Sequence, residues 1–170
     1  GGDYNLAPFS YFNAVASNPP LVMISLGKKP DGSPKDTRVN IEQRKHFVIH
    51  IPHREMLEQM NDSAVTLPAE ESELYRTGLE TVAMAGSPVP RIMGTKIAYG
   101  CELHEIMEVG NTPQALILAR VNQIYIDDQV MDIDAKGRAK LNVTKLDPVA
   151  RLGASEYMAC GEVIRLDRPA

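Results

Sequence analysis

The chain has 170 residues, of which 44% are apolar and 24% are charged. These proportions are typical of a globular protein with a buried core, and the length predicts a single domain over residues 1–170. The net charge of −4 provides no basic surface for nucleic acid or an anionic membrane. The longest apolar runs, at 20–26 and 115–119, are too short to cross a bilayer.

Runs rich in Val and Ile, bounded by turn residues, predict a mainly β protein with inserted helices. The predicted strands are 7–13, 21–26, 46–51, 95–107, 114–127 and 159–166, and the predicted helices are 37–45, 55–61 and 70–78. Strands and helices do not alternate regularly, which favours a β-barrel with helical excursions over a parallel nucleotide-binding sheet.

Several local features refine this prediction. The turn at 28–33 contains Pro30 and Gly32, and Asp36 is expected to cap the helix that follows it. A tight turn at 127–128 is expected to join two strand halves, and residues 147–151 are expected to form a helical turn. The loop 86–90 is predicted from its glycine and two prolines.

The segment 5–20 is the most informative stretch of the sequence. It predicts a strand, a loop of small residues and a stop at two consecutive prolines. Small side chains leave backbone N–H and C=O groups open to a flat ligand. The residues expected to line such a site are Ser10, Tyr11, Asn13, Ala14, Val15, Ala16 and Ser17. The alternative is a plain strand that leads into a turn.

A second polar cluster follows at Lys35, Asp36 and Thr37, with Asn40 one helical turn later. A cation, a hydroxyl and a helix N-terminus in one place suit a phosphate. The alternative is a simple helix cap made by Asp36. A planar polar ring with a phosphate describes flavin mononucleotide (FMN), so the two stretches together predict that cofactor.

The third stretch, 148–157, has Arg151 and Tyr157 on either side of a glycine turn. The pair could form a salt bridge and an aromatic plug. Equally, the two side chains could close over a cofactor, the guanidinium offering several donors and the ring a stacking surface.

Common catalytic signatures are absent from the sequence, including glycine-rich nucleotide loops and the Gly-x-Ser-x-Gly nucleophile motif. The four histidines lack the spacing of a zinc site, so no metal is expected. No protein residue is predicted to be catalytic. Cys101 and Cys160 lie outside any Cys-x-x-Cys motif, which favours a reducing, cytoplasmic location.

Taken together, the three stretches resemble the flavin reductase-like family, and within it the flavoredoxin-type, FMN-binding branch. The resemblance covers residues 5–169 and implies a Greek-key split β-barrel, commonly a homodimer with FMN near the subunit interface. It implies that residues 10–17 contact the flavin ring and ribityl chain, and that Lys35, Asp36, Thr37 and Asn40 hold the phosphate. Arg151 and Tyr157 match a further family motif.

The resemblance implies an oxidoreductase in which the flavin performs the chemistry, reduced by NADH or NADPH or by a protein donor, and in some members serving a partner monooxygenase. Two departures from the family pattern are visible. The strand that usually precedes the 5–8 segment is not in this sequence, and the Gly-His-Phe-type segment of stand-alone reductases appears only as Lys45-His46-Phe47. The alternative functions are a non-catalytic flavin-binding or sensing barrel and a tetrapyrrole-binding relative; the phosphate cluster argues against the second.

Overall fold

A computed structural model describes residues 4–68, 71–111, 114–166 and 169 of the chain. Its strands in chain order are β1 (Phe12–Ser17), β2 (Pro20–Leu26), β3 (His46–His50), β4 (Thr81–Val82), β5 (Arg91–Ile92), β6 (Ile97–Val109), β7 (Gln114–Ile126), β8 (Met131–Ile133), β9 (Ala139–Leu141), β10 (Val149–Gly153) and β11 (Glu156–Ala159). The helices are α1 (Asp36–Arg44), α2 (Leu57–Asp62), α3 (Glu73–Thr77) and α4 (Val143–Leu146). The mainly β architecture with inserted helices confirms the sequence prediction.

The centre of the fold is a five-stranded antiparallel sheet in the order β1-β2-β7-β6-β3. Burial alternates along β2 and along the first half of β7, so one face of this part of the sheet is buried. Ile24, Leu26 and Ile117 form the main core on this face together with Ile41 of α1. Helix α1 therefore packs on this buried face, where Ile41 meets Ile24, Leu26 and Ile117.

The other face of the same sheet carries a group of apolar side chains beside polar ones such as Ser25, Glu105 and Arg120. The register places Met23 opposite Leu118, and Leu116 opposite Met107, all pointing away from the main core. The leucines and Met23 are half-buried, and Met107 is exposed. An antiparallel sheet with one solvated face normally has polar side chains there, so this second face is unusual for a monomer.

The carboxyl-terminal part packs on the far end of the sheet. Leu146 of α4 and Val130 form a smaller core with Ile97 at the start of β6. The hairpin β10–β11 follows, and its base is attached by a backbone hydrogen bond from Val149 to Pro52.

Several local predictions were wrong. Strand β1 begins at Phe12 and not at residue 7, because Asn5 and Leu6 before it bond to α1 and α3. The strand also contains the small residues 14–17, which were predicted to form a loop. Asp36 is the first residue of α1 and not its cap, since its carboxylate pairs with Lys29. The stretch 147–151 enters β10 and forms no helical turn; the helix precedes it as α4, capped by Asn142.

Two further predictions need correction near the carboxyl terminus. Strand β11 ends at Ala159, and the described residues beyond it have no regular structure. Asp127 caps a single 3-10 turn, after which β8 pairs with β9 and not with the preceding strand. The helix predicted at 70–78 is α3, closed by Gly78 in the left-handed conformation as expected; residue 70 itself lies outside the described residues.

Candidate functional site

The amino-terminal segment of the described chain crosses the first turn of α1. The Asn5 carboxamide donates a 2.8 Å hydrogen bond from Nδ2 to Oγ1 of Thr37 and accepts one of 2.8 Å at Oδ1 from Nδ2 of Asn40. Two of the predicted phosphate residues are therefore joined through a third side chain. The sequence analysis did not select Asn5 as a site residue, because a contact across 32 residues leaves no local pattern.

Helix α3 holds this segment from its other side. The Ser72 hydroxyl donates to the carbonyl oxygen of Tyr4, and the Leu6 N–H donates to Oε2 of Glu73. The backbone on both sides of Asn5 is thus attached to one helix while its side chain is attached to another.

The N-terminus of α1 has no side-chain cap. Asp36, the acidic residue there, is neutralised by Lys29 at 2.7 Å. The Lys35 ammonium lies 5.9 Å from the centre of the Phe9 ring, and within the described ranges no carboxylate pairs with it. Uncapped helix N–H groups, an uncommitted ammonium and the Thr37 hydroxyl therefore lie together, and each of them favours an anion.

Strand β1 lies at the edge of the central sheet. Its register with β2 shifts between Ala14 and Ala16, so Val15 is the extra residue of a β-bulge. The Asn13 side chain accepts the N–H of Ala14 at 2.9 Å. Side chains from Asn13 to Ser17 are exposed, as are those of Ser10 and Tyr11. This strand edge therefore has small, exposed side chains next to its main-chain groups.

One hydrophobic cluster connects the edge strand to the helix. Phe9 and Phe12 both pack against the core that contains Ile41 of α1. Since Lys35 lies over Phe9, the start of β1 and the start of α1 meet at one corner of the fold. The first two sequence stretches are thereby brought together.

The third stretch is arranged differently. Arg151 and Tyr157 are cross-strand partners in the hairpin β10–β11. The Arg151 guanidinium donates to the carbonyl oxygen of Ala154 at 3.4 Å, and the Tyr157 hydroxyl donates to Oδ1 of Asn61 in α2 at 2.9 Å. Their hydrogen bonds therefore lead to the hairpin itself and to α2, and not to the corner formed by Lys35 and Thr37.

Two buried histidines lie elsewhere in the fold. Nε2 of His50 accepts the Ile92 N–H at 3.0 Å, and burial together with the nearby Arg91 charge lowers its pKa to about 4. The His53 side chain is only 2% exposed, and its burial together with the nearby Lys96 charge lowers its pKa as well. Both are therefore neutral at pH 7. Across the residues the structure describes, no three His, Cys, Asp or Glu side chains form a metal site.

Comparisons with known proteins identify the family of the chain. The model of the flavin reductase like domain matches residues 1–138, and the chain belongs to this family. A protein of Halalkalibacterium halodurans is 35% identical over 172 aligned positions, which span 99% of this chain and 80% of the relative.

Solved structures are similar over nearly the whole chain. Nitrilotriacetate monooxygenase component B from Bacillus cereus is 32% identical, with a TM-score of 0.84 over 95% of this chain and 79% of that one. The flavoredoxin of Desulfovibrio vulgaris (Miyazaki F) is 21% identical, with a TM-score of 0.77 over 95% of this chain and 81% of that one. The fold is the flavin reductase-like split barrel that the resemblance implied. No helix within the described ranges is long and apolar enough to span a membrane.

Proposed function

We propose that this protein is an FMN-binding oxidoreductase that passes electrons from NADH, NADPH or a protein donor, through bound FMN, to free flavin or another acceptor. The observation that supports it best is the uncapped N-terminus of α1, where Lys35 and Thr37 converge. Bound FMN would supply the electron-transfer chemistry itself, so the protein has to bind and orient the cofactor.

The phosphate of FMN fits the start of α1 for electrostatic reasons. A helix N-terminus carries a partial positive charge and free N–H donors, and Lys35 adds a full positive charge. The ion pair with Lys29 removes the repulsion that Asp36 would otherwise exert. Asp36 therefore contributes its backbone N–H to the proposed site and not its carboxylate. Asn40 contributes through Asn5, to which its amide already donates.

The flavin ring and ribityl chain fit the exposed edge at residues 10–17. An edge strand has main-chain N–H and C=O groups directed away from the sheet. The small side chains of Ala14 and Ala16 let a planar ring approach this backbone. The bulge at Val15 changes the direction of those groups locally. We include Ser10, Tyr11, Asn13 and Ser17 in this proposed ring site.

Arg151 and Tyr157 have a weaker connection to the proposed site. Both lie beyond the residues matched by the family model, and their present hydrogen bonds lead away from Lys35. We retain them as residues that would contact the cofactor if the hairpin β10–β11 covers it.

Binding measurements test the proposal directly. The Lys35→Ala/Thr37→Ala variant should bind FMN at least about 100-fold more weakly, because it loses two contacts to a charged phosphate. The affinity for riboflavin, which has no phosphate, should fall less than threefold. The matched control is Lys136→Ala/Thr144→Ala, which changes the same residue types at exposed positions outside the site. Equal losses for both flavins, or failure of the wild-type protein to quench FMN fluorescence, would contradict the proposal.

The reductant is tested separately. Protein loaded with FMN under anaerobic conditions should lose its flavin absorbance when NADH or NADPH is added. If both nicotinamides leave the flavin oxidised while a protein donor reduces it, the protein is an electron carrier. If no donor reduces it, the alternative of a non-catalytic flavin-binding protein holds. The 32% identity to a monooxygenase component supports a partner oxygenase as one acceptor.

The second apolar face of the sheet supports a homodimer. Met23, Leu116 and Leu118 form a half-buried apolar surface there, continued by the exposed Met107. A second copy would bury this face, and a flat self-complementary surface is typical of two-fold dimers. We also propose that residues 1–170 form one domain, and that the protein is cytoplasmic, as its free cysteines Cys101 and Cys160 favour.

A further inference from the structure

We propose that Asn5 is a positioning residue that orients the Thr37 hydroxyl so that its proton is directed to the ligand phosphate. The proposal rests on the FMN site described above. Asn5 was not among the site residues predicted from the sequence, and its hydrogen bond explains why the Thr37 hydroxyl can donate to a phosphate.

The hydrogen-bond inventory of the two side chains carries the argument. A threonine hydroxyl has one donor proton and two acceptor lone pairs. Asn5 donates to Oγ1 of Thr37, so one lone pair of that oxygen is used and its proton remains free. A phosphate oxygen accepts hydrogen bonds and has none to donate when ionised. The Asn5 amide therefore leaves Thr37 in the state that a phosphate needs.

The orientation of the Asn5 amide is coupled to that of the Asn40 amide. Nδ2 of Asn40 donates to Oδ1 of Asn5, which requires the carbonyl of Asn5 to face Asn40 and its amide nitrogen to face Thr37. Asn40 thus acts on the phosphate indirectly, through Asn5 and Thr37. This differs from the direct phosphate contact that the resemblance implied for it.

The backbone attachments make this arrangement rigid before any ligand binds. Ser72 bonds the carbonyl of Tyr4, and Glu73 bonds the N–H of Leu6, so both neighbours of Asn5 are held by α3. A donor that is already oriented does not lose conformational entropy on binding, which increases affinity.

The experiment measures dissociation constants for FMN and riboflavin by flavin fluorescence, in the wild-type protein, Asn5→Ala, Thr37→Val and the double variant. Asn5→Ala and Thr37→Val should each weaken FMN binding about tenfold and riboflavin binding less than twofold. Because both act on one hydrogen bond to phosphate, the double variant should be no more than about threefold weaker than either single variant. Asn122→Ala, which removes an exposed asparagine bonded to Glu102, is the matched control and should change neither constant.

A second readout needs no flavin. Inorganic phosphate should raise the melting temperature of the wild-type protein, and Asn5→Ala should need about tenfold more phosphate for the same rise. If Asn5→Ala does not fold, Asn5→Asp replaces it, because this variant keeps the shape and can still accept from Asn40. Its carboxylate would accept a hydrogen bond from the Thr37 hydroxyl, whose proton would then point away from the phosphate. This variant should therefore also weaken FMN binding more than riboflavin binding, and the effect should be smaller in the Thr37→Val background.

The outcomes separate this proposal from the one on which it rests. If the wild-type protein binds FMN and riboflavin equally well, the proposed phosphate site is itself contradicted. A wild-type protein that prefers FMN, with an unchanged preference in Asn5→Ala, would overturn only the role of Asn5. Additive losses of about 100-fold in the double variant, or equal losses for both flavins, would also overturn it, since they indicate independent or purely structural effects.

Discussion

Arg54 and Asp147 are joined through both their side chains and their backbones. The guanidinium donates from Nε to the Asp147 carboxylate at 2.6 Å and from a terminal nitrogen at 3.2 Å, while the Arg54 N–H donates to the Asp147 carbonyl at 3.1 Å. Asp147 has a left-handed backbone conformation, with φ 49°, immediately before Pro148. The pair therefore fixes the point at which the chain leaves α4 and enters β10.

The first prediction concerns this attachment. Arg54→Ala should accelerate amide hydrogen exchange in the hairpin β10–β11, because its base keeps only backbone contacts. Exchange in β2 and β7 should not change. The control is Arg138→Ala, which removes an exposed pair with Asp134 in another hairpin. Unchanged exchange in β10–β11 would show that the ion pair does not hold the hairpin.

The second prediction is a pH dependence of stability that comes from His50. The folded-state pKa is lowered to about 4, mainly by burial, from an ordinary value of 6.5. Between these two values the unfolded chain binds a proton that the folded chain does not, so the free energy of unfolding falls as the pH decreases below 6.5. The loss is complete below about pH 4 and amounts to about 3 kcal/mol.

Urea unfolding at several pH values measures this effect at fixed protein concentration. His50→Gln should be less stable at pH 7 and should lose less stability than the wild-type protein between pH 6.5 and 4. His104→Gln changes an exposed histidine and should retain the wild-type slope. Parallel curves for His50→Gln and the wild-type protein would contradict the assignment.

The third prediction concerns the close approach of Gly86 to Gln123. A Cβ at Gly86 would lie 2.5 Å from the Gln123 amide nitrogen, and the residue has φ +74°. Gly86→Ala should therefore destabilise the protein by about 1 kcal/mol through backbone strain, plus the smaller cost of moving the exposed Gln123 side chain. Gly137→Ala is the matched control, since Gly137 has φ +75° and open space around it. Thermal melts should show a larger loss for Gly86→Ala, and Gln123→Ala should recover part of it.

The fourth prediction tests the proposed dimer. Light scattering of the wild-type protein should give twice the chain mass of 18.7 kDa. Met107→Glu places a charge at an exposed position of the apolar face and should shift the mass towards the monomer. Tyr75→Glu changes a more exposed side chain on α3 and should remain dimeric. A wild-type mass of one chain would contradict the proposal.

Much of the central sheet could be predicted from the sequence. The apolar alternation of β2 and β7 is local, and the structure has those strands within a few residues of their predicted ends. Errors occurred where a distant partner determined the local conformation. Asp36 looks like a helix cap in the sequence, yet Lys29 holds its carboxylate. The 5–9 segment looks like a strand, but its polar groups find partners on α1 and α3.

Composition, periodicity and turn chemistry are properties of neighbouring residues, and they established a mainly β chain with a polar helix start. Motif resemblance extended this to the family. The tertiary structure alone established that residues 14–17 belong to strand β1, that Phe9 lies beside Lys35 at the helix start, that Asn5 connects Thr37 with Asn40, and that Tyr157 bonds to α2. The physical reason is that the contacts made by Asn5 and by Tyr157 join residues 32 to 96 positions apart, whose meeting depends on how the strands pack and not on any local pattern.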